Sequence, residues 1–216
     1  MSREKPRFIA VEGPIGVGKT SLAKRLAETF NYQSLLERGE ENPFINRFYR
    51  DPRRYALHTQ LYFLLQRSQQ LSEHRRGDMF EQSLVADYLM DKDNLFAKLN
   101  LDSDEMDIYQ KVYQHMTINS PVPDMVIYLQ APTGILLDRI KKRGVASERY
   151  IEREYLDKLN QAYTEFFHYY DKTKLMIVNS ADIDLVGNDG HYRQLLDFIA
   201  STPSGTHYFN PGPSLL

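Results

Sequence analysis

The chain has 216 residues, 42% of them hydrophobic and 12% aromatic, with 27 Lys and Arg against 29 Asp and Glu for a net charge of −2, and no cysteine. That length suits one α/β domain with a substantial core, and the apolar fraction excludes a disordered chain. The missing cysteines exclude disulfides and thiolate metal sites, and the absence of a basic excess argues against nucleic acid as a partner. The charged start and the lack of any long apolar run point away from membranes, with cytoplasm as the expected compartment.

Arg7 to Glu12 (RFIAVE) predicts a strand, and Leu22, Leu26 and Phe30 at helical spacing predict a helix over Lys19–Phe30. Gln33 to Glu37 reads as a second strand and Pro43 to Arg50 as a short helical piece. A long helix is expected from Pro52 to about Arg76, with Leu57, Leu61, Leu64 and Leu65 on one side. Asp78 to Leu84 is expected as a third, buried strand, followed by helical segments over Val85–Leu99 and Ser103–Met116. Beyond Pro121, Pro123 and Asp124, Met125–Gln130 (MVIYLQ) is the clearest buried strand. Helices at Thr133–Lys142 and Ile151–Tyr170, a strand at Lys174–Val178 and a helix at His191–Ile199 follow. Strands alternating with helices predict an α/β fold, a parallel five-stranded sheet with helices on both faces. The domain is expected over residues 1–200, with a Gly-, Pro- and Ser-rich tail over 201–216 that is either disordered or folded back.

Between the first strand and helix lies Gly13-Pro14-Ile15-Gly16-Val17-Gly18-Lys19-Thr20, followed by Ser21, a G-x-x-x-x-G-K-[ST] pattern. Its glycines let backbone N–H groups turn toward phosphates, and the helix N-terminus beneath adds unpaired donors and a favourable dipole. ATP and Mg²⁺ are therefore expected ligands, with Lys19 on the β- and γ-phosphates and Thr20 on the metal. Arg139, Arg143, Glu148 and Arg149 surround the small connection Gly144-Val145-Ala146-Ser147, which suits an arginine-bearing lid that neutralises phosphoryl charge. Glu37, closing the second strand, could take a proton from an acceptor hydroxyl, or be a surface carboxylate beside Arg38, Glu40 and Glu41. Glu81, closing the expected third strand, could hold Mg²⁺ directly or through water, or simply cap a helix. No His pair has zinc-site spacing, and His168 is expected to pack on an aromatic helix face.

Together these residues resemble the deoxynucleoside kinase family, from about Phe8 to Ile199. The resemblance implies a P-loop kinase fold with Glu37, in Leu35-Leu36-Glu37, as general base on a 5′-hydroxyl. It implies Tyr49 on the sugar 3′-hydroxyl, Gln60 and Arg67 facing the base, and Asp87 paired with Arg67, with Asp93 as a competitor if the helix is shifted. Glu81 matches the family's acidic strand-end residue, and Arg139, Arg143, Gly144 and Glu148 match its lid, Glu148 binding the sugar. The family's strand-end motif is acidic-Arg-Ser; this chain has Glu81-Gln82-Ser83, so the charge must come from elsewhere, with Arg67, Arg139 or Arg149 as sources. Phe44 stands in for the aromatic expected just after the glutamate. The implied activity is transfer of the γ-phosphoryl group of ATP to the 5′-hydroxyl of a deoxynucleoside in nucleotide salvage, by a homodimer. Deoxyadenosine is the first choice, then deoxyguanosine or deoxycytidine. The rivals are a nucleoside monophosphate kinase of the thymidylate kinase type and a non-catalytic scaffold.

Overall fold

The computed structural model describes residues 5–76, 83–117 and 120–210. Six parallel strands form one sheet: β1 (Phe8–Glu12), β2 (Gln33–Leu35), β3 (Leu84–Ala86), β4 (Met125–Gln130), β5 (Lys174–Asn179) and β6 (Thr206–Phe209), in the order β2-β3-β1-β4-β5-β6. Parallel strands are joined by crossovers that lay helices over both faces, so central strands must be apolar on both sides. β1, β3 and β4 meet that demand: Ile9 pairs in register with Val85 on one side and Met125 on the other, and all three are fully buried.

The helices are α1 (Lys19–Phe30), α2 (Ile45–Phe48), α3 (Pro52–Arg76), α4 (Lys92–Asn100), α5 (Ser103–Thr117), α6 (Thr133–Arg143), α7 (Arg153–His168) and α8 (Asp189–Ser201). α1 ends in Asn31 at φ 55°, a left-handed cap that Asn tolerates and that turns the chain directly into β2. One core fills the space around the sheet, while a second, built from Leu64, Leu71, Tyr88, Met90, Ala97 and Tyr109, joins α3 to α4 and α5.

Three expectations are corrected. A strand runs over Leu84–Ala86, where a helix was expected from Val85, and α4 starts only at Lys92; residues 78–82 of the expected third strand lie outside the described residues. The stretch Leu84 to Met90, apolar except for Asp87, suits a buried strand or a helix equally, so its pattern could not place the boundary. The sheet has six strands instead of five, because Thr206–Phe209, in the segment expected as a polar tail, pairs alongside β5 with Met176 opposite His207. Leu65 on α3 is 48% exposed, and the buried face of that helix carries Thr59, Gln60 and Arg67 beside Ala56 and Leu64. A helix that turns polar groups inward loses the apolar stripe by which its inner face would be recognised.

Candidate active site

β1 ends at the topological switch point of the sheet, with β3 on one side and β4 on the other, where α/β folds open a crevice at their carboxyl edge. The Gly13–Thr20 loop lies there. Gly16 (φ 84°) and Gly18 (φ 108°) take left-handed conformations, and a Cβ on Gly16 would stand 3.0 Å from the Leu136 carbonyl oxygen of α6. The loop therefore needs glycine both for its turn and for its packing on α6. Gly18 caps α1 without a side-chain acceptor, which leaves the first N–H groups of the helix to an anion. Lys19 curls over the loop, its Nζ donating to the carbonyl oxygens of Gly13 (2.7 Å) and Pro14 (3.2 Å). Burial, joined by the like charge of Lys92, lowers its pKa against the pull of Glu12, Glu37 and Asp87.

The strand-end carboxylate is Asp87, directly after β3. Thr20 Oγ1 donates to its Oδ2 at 2.5 Å, and the Glu37 backbone N–H donates to its Oδ1 at 2.6 Å. Burial raises the Asp87 carboxyl, opposed by those two hydrogen bonds. A desolvated carboxylate touching the P-loop hydroxyl is the donor set a hard divalent cation takes. Glu81 and Gln82, read earlier as strand-end residues, lie outside the described residues, and β3 ends five residues after Glu81.

Arg67 does not pair with Asp87. From α3 it donates through Nη1 to Asp93 Oδ1 and through Nε (2.7 Å) and Nη2 to Glu37 Oε1. Asp87 faces the P-loop from the strand end, whereas Asp93, in the first turn of α4, faces α3, so the register of that helix decides the partner. Burial works to raise the Glu37 carboxyl, but the charges of Arg67 and Lys92, the Arg67 hydrogen bond and Lys19 outweigh it and hold it far below the usual carboxylate range.

Two further residues of the site escaped the sequence reading. Glu12, fully buried at the end of β1, accepts from the N–H of Gly13 (2.8 Å), the N–H of Leu89 (2.8 Å) and the hydroxyl of Tyr163 (2.9 Å). Lys92 points its ammonium at Glu37, 3.2 Å from Oε1, with Glu12 Oε2 at 3.8 Å. The only signal for Glu12 was a charge closing an apolar strand, whereas Lys92 lies in the polar run Asp91-Lys92-Asp93-Asn94 and gave none.

The crevice is a cavity of about 660 Å³ lined by Lys19, Thr20, Glu37, Tyr49, Asp87 and Glu148, and an adjoining pocket reaches Gln60, Arg67 and Lys92. Tyr49 stands among Tyr155, Glu148 and Glu37, and burial raises its hydroxyl well above the ordinary value, helped by those neighbours. Gln60 is buried at the pocket wall. Arg143, at the end of α6, grips Glu148 through Nη2 at 2.5 and 2.6 Å. Arg139 sits elsewhere, donating to the carbonyl oxygens of Val17 (3.2 Å) and Ser180 (2.7 Å). Arg149 is outside the cavity, bonded to the Tyr150 hydroxyl at 2.5 Å. His168 is exposed, with its ring edge-on to Tyr169 rather than buried in an aromatic face. Next to Arg139 a second cavity runs from Gly18 and Ser21 to the turn at residues 183–186, which Arg25 anchors through the Leu185 and Val186 carbonyl oxygens.

A glycine cradle at a helix N-terminus, a half-buried lysine across it and a carboxylate on the adjacent strand end define a P-loop phosphotransferase fold. The deoxynucleoside kinase family model matches residues 9–202. Over 161 residues the chain is 37% identical to a deoxyguanosine kinase of Bacillus subtilis, covering 72% of this chain and 76% of that protein. It is 28% identical over 207 residues to the deoxyadenosine/deoxycytidine kinase of the same organism, covering 91% and 93% of the two chains. Among solved structures, deoxyadenosine kinase from M. mycoides with bound dCTP superposes with a TM-score of 0.78 at 27% identity, over 90% of this chain and 99% of that one. The chain belongs to the deoxynucleoside kinase family.

Proposed function

We propose that this kinase transfers the γ-phosphoryl group of ATP to the 5′-hydroxyl of a purine deoxynucleoside, with Glu37 receiving the hydroxyl proton. The observation that carries the reading is the placement of Glu37 across one cavity from Lys19 and Thr20, so that an acceptor hydroxyl at Glu37 faces the phosphate cradle. Thr20 and Asp87 would hold Mg²⁺, which supplies neutralising charge to the triphosphate when bound. The donor base would lie in the cavity beside Arg139 and the 183–186 turn. Tyr49 and Glu148 would hold the sugar, while Gln60 and the Arg67–Asp93 pair would border the base.

Glu37 is a weak base because two cations hold it ionised. That suits a loose transition state, in which the hydroxyl proton leaves late and positioning matters more than base strength. Similarity to relatives named for deoxyguanosine and for deoxyadenosine supports a purine acceptor, and deoxyguanosine stands level with deoxyadenosine as the first to assay. A homodimer is supported by Leu65 and Ile108, about half exposed on the mutually packed helices α3 and α5. The test is a Mg²⁺-dependent phosphorylation assay over the four deoxynucleosides and their monophosphates. Turnover of a purine deoxynucleoside is expected; turnover of monophosphates alone, or none, would overturn the proposal.

A further inference from the structure

The two oxygens of Glu37 are used differently. Oε1 takes Arg67 through Nε and Nη2, whereas Oε2 has Lys92 Nζ, at 3.4 Å, as its hydrogen-bond donor among the described residues. An acceptor hydroxyl that reaches Oε2 therefore arrives next to an ammonium. We propose that Lys92 is a further catalytic residue, whose charge stabilises the acceptor oxygen and the phosphoryl group as they join beside Glu37 Oε2. This rests on the reading of Glu37 as the proton acceptor. In the step, the acceptor oxygen forms its bond to the γ-phosphorus, the bond from that phosphorus to the bridging oxygen of ADP breaks, and the hydroxyl proton passes to Glu37.

A structural role accounts poorly for Lys92. Glu12 already has three hydrogen-bond donors without it, and Glu37 Oε1 already takes Arg67, which it shares with Asp93. An ammonium carries three N–H donors, yet the one hydrogen bond described for this side chain is the long contact to Glu37, with Glu12 beyond bonding distance at 3.8 Å. The side chain is only 3% exposed, so water is a poor substitute, and a buried donor without an acceptor lowers stability. Lys92 is also the first residue of α4, where the helix dipole disfavours a cation. Three features that weaken the resting protein converge on one ammonium, and it borders the acceptor pocket. Oxygens of an acceptor or a transferring phosphoryl group would satisfy the spare donors. The charge of Lys92 also reaches Lys19, where it adds to burial in lowering that ammonium.

The test is Lys92→Met, which keeps the stem and removes the charge, with Lys92→Arg as the conservative variant. Steady-state kcat and KM, a single-turnover rate and the acceptor Kd are measured on the wild-type substrate. Loss of one preorganised group stabilising transition-state charge typically lowers kcat by about 10²–10³-fold. That loss is expected here with acceptor KM and Kd changed by less than about threefold, and Lys92→Arg should recover part of it. Normal kcat at saturation with a raised KM, or with only a lowered Tm, would make Lys92 structural and overturn the proposal. If Lys92→Met does not fold, Lys92→Gln decides by the same split between kcat and KM. An active wild type with an unimpaired variant refutes Lys92 alone, whereas a wild type inactive on every deoxynucleoside refutes the reading beneath it as well.

Discussion

Glu37→Gln keeps the shape of the side chain and an acceptor for Arg67 but removes the charge on which two buried cations converge. Arg67 is 5% exposed and Lys92 3% exposed, so neither can turn to water for compensation. Breaking a buried ion pair by removing one partner costs about 3–5 kcal/mol; Glu37 is itself partly open to solvent and Arg67 keeps Asp93, so we expect about 1–3 kcal/mol here. The folded-state pKa of Glu37 lies below its unfolded value, so its stabilisation is complete above the unfolded pKa of about 4.3 and is lost as pH falls through the folded value. The stability gap between wild type and variant, read from urea unfolding, should be widest near neutral pH and close in strong acid. Loss of the proton acceptor should lower kcat by about 10²–10⁴-fold with little change in ATP affinity, measured by initial rates at saturating acceptor. Activity within a few-fold of wild type would place the base elsewhere, and a stability gap that widened on acidification would refute the charge assignment.

Asp87→Asn removes the carboxylate beside Thr20, and the Mg²⁺ concentration for half-maximal rate should rise about tenfold or more, the size of change typical when a metal ligand or its support is lost; an unchanged Mg²⁺ titration would remove Asp87 from the metal site. Asp93→Ala removes the fully buried partner of Arg67 Nη1, and because Arg67 keeps Glu37 it should cost about 2–3 kcal/mol in urea unfolding, below the full penalty for an isolated buried charge. A cost below about 1 kcal/mol, within the range of an exposed pair, would mean that this ion pair does not hold α3 to α4.

The P-loop was legible because its chemistry demands fixed residue types at fixed spacing, and α1 follows from it by periodicity alone. β4 and β5 were legible for a different reason: buried central strands must be apolar along their whole length. β3 failed on the same property. Three residues of strand running into Asp87-Tyr88-Leu89-Met90 carry no period that separates strand from helix, and the displaced boundary put the expected strand-end carboxylate at Glu81, where β3 is followed by Asp87, and the expected Arg67 partner at Asp87, where the structure has Asp93. Glu12 and Lys92 were hidden because burial of a charge depends on partners distant in sequence: Tyr163 is 151 residues from Glu12, and Glu37 is 55 from Lys92. β6 is only four residues long, within a segment whose Gly and Pro content signals turns, and its partner strand begins about thirty residues earlier.

The grip of Arg143 on Glu148 has a thermodynamic consequence. On the proposed reading Glu148 holds the sugar, and Arg143, as the lid arginine that the sequence suggested, would meet the phosphates, yet here each satisfies the other. Whichever substrate arrives first must draw its partner away and leaves the second side chain unengaged. The next substrate then meets a group already released and forgoes that separation cost. On that reading the ion pair would act as an exchange of partners that couples donor and acceptor binding, and linkage would then require each ligand to tighten the other by the same factor.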